Sequence, residues 1–139
     1  MYFTGTIWKQ GKQWLIEVPN LDFITQGKSR KHAFEMLIDG LSLLVNDKKF
    51  KFTISFSKRD NEFFLKSNDD KKLISLALKR QRIKNNLTLS DLAKKLKAKS
   101  KNAYAQYEQG RNLPSLTKIQ DFLNAMNSNI KLVFTIVES

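Results

Sequence analysis

The spacing of apolar residues changes character once along this chain, and that change limits the fold more than any other feature. Before Ser67-Asn68-Asp69-Asp70 the apolar residues fall mostly in short alternating or β-branched and aromatic runs; after it they recur at three- and four-residue steps. A period of two puts alternate side chains on one face of a strand, and a period near 3.6 puts them on one face of a helix. The chain therefore reads as α+β: a sheet-bearing domain over residues 1–67, a helical domain over residues 70–127, and a tail over 128–139.

Within the first half, Tyr2 to Trp8 and Gln13 to Val18 are strand-like and are separated by the turn segment Lys9-Gln10-Gly11-Lys12, which predicts a hairpin. Trp8 and Trp14 flank that turn, where they are placed to be cross-strand partners or to anchor another protein. A short extended piece, Phe23 to Gln26, leads to Ser29, a good helix N-cap. Phe34, Leu37, Ile38, Leu41, Leu44 and Val45 then mark one face of an amphipathic helix to be buried against the sheet. Phe50 to Phe56 alternates strictly and Glu62 to Lys66 follows after a turn, completing a mostly antiparallel sheet.

The second half predicts four helices. The first, Lys71 to Asn85, buries Leu73, Ile74, Ala77 and Leu78, and Asn85-Asn86 stops it because Asn tolerates the left-handed cap. Thr88 and Asp91 form a capping box for a short helix, Leu89 to Leu96. Ser100 caps a third, Lys101 to Gln109, which Gly110 ends, and Pro114-Ser115 opens a fourth, Leu116 to Met126. The tail Ile130 to Val137 reads as a lone strand, to be paired either with the first domain's sheet or with the same strand of a second chain.

Charge points to the partner. The 139 residues hold 25 Lys and Arg against 13 Asp and Glu, a net of +12. Residues 71–118 carry 13 of the basic residues with only Asp91 and Glu108 against them, so one block accounts for +11 of the total. Such a block concentrates polyanions and speeds their association. There is no Cys, which excludes disulfides, thiolate zinc sites and Cys nucleophiles, and there is a single His. His32 has no base or nucleophile partner suggested by spacing. The acids Glu17, Asp22, Glu35 and Asp39 lack the converging pattern that a two-metal nuclease needs. No apolar run approaches a membrane span, and the first residues lack a signal-peptide stretch. The expectation is a cytoplasmic, non-enzymatic protein without metal or cofactor, and with no membrane partner.

Two short helices joined by Lys97-Ala98-Lys99-Ser100 have the shape of a helix-turn-helix. Helical spacing turns Ala103, Tyr104 and Tyr107 inward, leaving Lys101, Asn102, Ala105, Gln106 and Gln109 outward. Asn and Gln can pair in bidentate fashion with adenine, and Lys can reach guanine, in the major groove of double-stranded DNA. Small Ala105 would permit close approach. Thr88, Ser90 and the amides at the start of the helix they open suit phosphate, while Lys99, Ser100, Arg111 and Asn112 complete the candidate DNA contacts.

At these residues a resemblance becomes visible. Residues 73–126 resemble the Cro/repressor-type (XRE) helix-turn-helix through Leu87-Thr-Leu-Ser-Asp-Leu-Ala93, Tyr107-Glu-Gln-Gly110 and Leu113-Pro-Ser115. Lys99-Ser-Lys-Asn-Ala-Tyr-Ala-Gln-Tyr-Glu-Gln-Gly110 is similar to HicB-like antitoxins, as are Val18-Pro-Asn-Leu21, Thr25-Gln-Gly27 and Ser29-Arg-Lys-His-Ala33 in the first half. That resemblance implies a partial RNase-H-like N-terminal domain without an active site, which binds and neutralises a HicA-type mRNA-cleaving toxin. It also implies a homodimer or higher even oligomer that represses its own operon. Two departures stand out: Leu89 replaces a contacting Gln of many repressors, and Lys97 replaces a common Gly in a turn that is one residue longer. Two rival functions are a stand-alone regulator whose first domain senses a small molecule, and a protein adaptor with an idle helix-turn-helix.

Overall fold

The computed structural model describes residues 1–97 and 102–138. The chain forms two compact units, Met1–Asp70 and Lys71–Ser139, divided within the polar segment where the periodicity changes.

The first unit runs β1 (Phe3–Gln10), β2 (Gln13–Val18), a 3-10 turn (Pro19–Leu21), β3 (Phe23–Gly27), α1 (Arg30–Val45), β4 (Phe52–Phe56) and β5 (Glu62–Ser67). The strands form one sheet in the order β3-β2-β1-β5-β4, and every neighbouring pair is antiparallel. Gly11, with φ of +62°, turns the first hairpin. Ser29 caps α1 by accepting the His32 amide, and His32 Nδ1 accepts the Lys28 amide at 3.0 Å, so the single imidazole is used in shaping the helix entry. Ala33, Leu37 and Leu41, one turn apart, form the buried stripe of α1, and Ile7, Ile16, Val18, Phe63 and Leu65 are buried in the sheet. Gly5 lies directly under the Phe63 ring, and Gly27 faces the backbone of Ala33; a Cβ at either place would collide.

Two local expectations change here. The register sets Trp8 opposite Leu15 and Trp14 opposite Lys9, so the two indoles project from opposite faces of the sheet and are not cross-strand partners. Between Phe50 and Phe56 the alternation is real but its burial fades, from 4% exposure at Phe50 to 63% at Phe56. The reason is that β4 is an edge strand, whereas α1 packs mainly on β3 and β2. From α1, Phe34 meets Phe56 edge-on at 5.5 Å, and the Arg30 guanidinium sits 5.3 Å from the Phe56 ring centre.

Among the described residues the second unit holds α2 (Asp70–Lys84), α3 (Leu89–Lys95), α4 (Asn102–Glu108) and α5 (Leu116–Met126). Their shared core is Leu78, Leu92, Tyr104, Ile119, Phe122, Leu123 and Met126. Asn86, at φ of +57°, ends α2 in the left-handed cap: its amide returns to Ile83, and the Leu87 amide to Arg82. Gly110, at φ of +72°, ends α4 in the same way, through Gly110 to Tyr107 and Arg111 to Gln106.

The expected final strand is not formed. Residues 130–138 have no regular secondary structure. Ile130 and Leu132 pack against the helical core, and the Gln120 side chain accepts the Leu132 amide at 2.8 Å. Beyond Leu132 no backbone hydrogen bond joins the tail to other described residues. A strand exists only through a ladder, and the described residues give the tail no second rail.

Candidate nucleic-acid interface

Helix α3 is started by a complete capping box. Thr88 Oγ1 accepts the Asp91 amide at 3.0 Å, and the Asp91 carboxylate accepts the Thr88 amide at 2.9 Å. The Thr88 amide first, and then the Thr88 side chain, hold the Asp91 carboxyl below the ordinary carboxylate range. The box also alters the expected phosphate grip: two amides at this helix start are already occupied, and a carboxylate stands among them. What remains for phosphate is exposed Ser90. Lys94 and Lys95 are exposed on the last turn, and Lys97 follows with φ of +55°, a left-handed position without the usual glycine.

Helix α4 is turned differently from the sequence expectation. Tyr104 and Ala105 are buried, whereas Ala103 is exposed, so Ala105 is a core residue and Ala103 is the small outward one. The cause is a tertiary bond that apolar spacing does not encode. Arg82 of α2 donates from Nε and Nη2 to both oxygens of Glu108, at 2.8 and 3.0 Å, and from Nη1 to the Leu87 carbonyl at 2.7 Å. The side chains of Arg82 and Glu108 are only 12% and 6% exposed, so Glu108 must face inward, one turn beyond Tyr104. Glu108 in turn raises the Arg82 pKa above its ordinary value. Tyr104 stacks edge-on against Phe122 at 5.0 Å, and burial, then the neighbouring Glu108 carboxylate, pushes its phenol pKa up. Tyr107 lies tilted on Phe122 and its hydroxyl accepts Lys118 Nζ at 2.9 Å. Both tyrosines are thus core-facing, as their spacing suggests.

With that rotation, Asn102, Ala103, Gln106 and Gln109 line the outer side of α4. The left-handed turn at Gly110 brings Asn112 back so that its Nδ2 donates to Gln106 Oε1 at 3.0 Å, while Gln106 Nε2 donates to the Ala103 carbonyl at 3.2 Å. Gln106 and Asn112 therefore form a small amide pair, with exposed Arg111 beside it in sequence. Lys99, Ser100 and Lys101, including the expected Ser100 cap, lie outside the described residues. Trp8 and Trp14 belong to the first unit, both half-buried. Sequence reasoning missed Arg82 and Glu108 as a pair. The available signal was that Glu108 is one of only two acids in the basic block, and the other, Asp91, serves its own helix cap.

Compared with known protein families, residues 78–133 match a helix-turn-helix family. Residues 78–133 are an XRE-type helix-turn-helix domain. The helix-turn-helix spans the core from Leu78 through α5 and reaches Ile130 and Leu132, the tail residues packed on it. A domain of this type suggests a DNA-binding transcription regulator. No curated protein matches the chain. Among the described residues no helix is long and apolar enough to cross a membrane, and no group of three or more acids and histidines is placed to hold a metal ion.

Proposed function

We propose that this chain is a non-enzymatic, operator-binding repressor that also acts as an antitoxin. The helix-turn-helix reads its own operator in double-stranded DNA, and residues 1–67 bind and neutralise a HicA-type mRNA-cleaving toxin. The observation that carries the DNA half is the outer side of α4, where Asn102 and Gln106 lie one turn apart and the Arg111 amide donates to the Gln106 carbonyl, within the +11 block. The two amides supply the donor–acceptor pairs that adenine's major-groove edge requires, and the basic residues supply phosphate contacts. The toxin half is supported by the resemblance to HicB-like antitoxins. Its motif segments run consecutively through the 3-10 turn, β3 and the first turn of α1.

The test is a pair of assays. Gel shifts on the DNA upstream of the chain's own reading frame should give a complex that survives excess random duplex; loss to random duplex at equal concentration overturns sequence reading. In cells, induction of the adjacent small reading frame should arrest growth with mRNA decay, and this chain should rescue it. An inert neighbour rejects the antitoxin half. DNA release caused by a small molecule alone would assign the first unit a sensing role instead.

A further inference from the structure

The tail carries an apolar surface that the helical core does not use. Ile130 and Leu132 are seated, but Val133, Phe134, Ile136 and Val137 are 78%, 70%, 89% and 58% exposed. Gln120 of α5 explains how the tail is held. Its Nε2 donates to the Ile130 carbonyl at 3.4 Å while its Oε1 accepts the Leu132 amide at 2.8 Å. A carbonyl at one residue and an amide two further on, turned to the same side, are the groups that an adjacent strand would engage. The side-chain amide therefore imitates one rung of a ladder and fixes the start of the tail as an edge. After it come five residues, Val133 to Val137, rich in β-branched and aromatic types and without a ladder partner among the described residues. An apolar edge of this kind is a template for pairing with another strand.

We infer that the occupant is the same tail of a second copy, paired antiparallel about a two-fold axis centred on Phe134. Three observations favour a second copy. The basic excess sits in residues 71–118, where two copies repel, whereas residues 119–139, with Lys131 against Asp121 and Glu138, carry no basic excess. The segment is also self-complementary. A two-fold axis normal to the ribbon pairs only residues of like parity, and centring it on Phe134 sets Phe134 against itself and Leu132 against Ile136. Those residues share the face that Ile130 and Leu132 already turn to the helices. Finally, Leu116 lies one helical turn before Gln120 on the same side of α5 and is 58% exposed, so each core offers apolar surface along the path of the ribbon. The two-fold arrangement suits the proposed DNA reading, but none of the three observations requires DNA.

The chain lacks cysteine, so one introduced thiol reports the register cleanly. Phe134→Cys should form a covalent dimer rapidly under mild oxidation without DNA, and Val133→Cys and Thr135→Cys should do so much more slowly. Sedimentation of the wild type should give a dimer mass, and Ile136→Arg, at an exposed position, should raise the dimer dissociation constant at least about tenfold. A monomeric wild type with no Phe134→Cys dimer overturns the inference, including the case in which the tail docks on its own first unit or only on another protein. Equal cross-linking at all three positions overturns the register. Sequence-specific DNA binding by a monomer would leave the DNA reading standing and remove this one; a dimer without DNA binding would do the reverse.

Discussion

The ion pair of Arg82 and Glu108 decides which side of α4 meets solvent, and it does so from within the core. Removing one member of such a pair leaves the other charge buried and uncompensated, at a cost of about 3–5 kcal/mol. Glu108→Gln should therefore lower unfolding stability in urea by an amount in that range. A double variant with Arg82→Met should recover part of the loss, because no lone charge is left behind. Asp91 makes a different, pH-dependent contribution. Its carboxyl is held below the ordinary range by Thr88, so the folded chain takes up a proton there less readily than the unfolded chain. That contribution is complete above the unfolded value near ~3.9 and is lost as pH falls through the lowered folded value. Melting curves of wild type and Asp91→Asn should consequently differ at neutral pH and converge in acid; a gap that widens in acid would contradict the capping account.

At the level of the element, the outer side of α4 and the last turn of α3 should separate in their effects. Gln106→Ala or Asn102→Ala should cost about 1–3 kcal/mol on the preferred sequence and little on random duplex. Lys94→Ala or Lys95→Ala should weaken both alike and reduce the salt slope by roughly 0.9 for each phosphate no longer neutralised. Titrations at several salt concentrations check this, and equal losses on both DNAs for all four variants would contradict the division of labour. The helix ends that carry these residues were legible in the sequence because they are local. Ser29, Asn86, Thr88 with Asp91, Gly110 and Ser115 each act within a few residues of themselves. The rotation of α4 was not legible. In a seven-residue helix Tyr104 and Tyr107 fit more than one inward face, and the choice between Ala103 and Ala105 is made by Arg82, twenty-six residues before Glu108. The faces of Trp8 and Trp14 were hidden for a related reason, since the hairpin register and not the spacing across the turn assigns them.

For the whole chain, two small units divide the work unevenly. The first holds nearly balanced charge, 11 basic and 9 acidic residues over 1–70, while the second holds the basic block. Association with DNA should accordingly be governed by the second unit and should slow steeply as salt rises. If two copies bind one face of the duplex, their half-sites should lie about 34–36 Å apart, one helical turn. A footprint showing an inverted repeat at that spacing is the expected result, and protection of a single half-site would argue against paired binding.

The open tail also bears on solubility. Leu132-Val-Phe-Thr-Ile-Val137 is uncharged, free of proline and glycine, and strongly β-prone, the composition from which stacked cross-β ribbons grow. Lys131 and Glu138 bracket it. In a parallel, in-register stack each lysine would lie on a lysine and each glutamate on a glutamate, a row of like charges that lengthens with every added chain. Antiparallel pairing of two copies creates no such row. The bracketing charges thus act as gatekeepers that penalise indefinite growth while leaving a closed pair untouched.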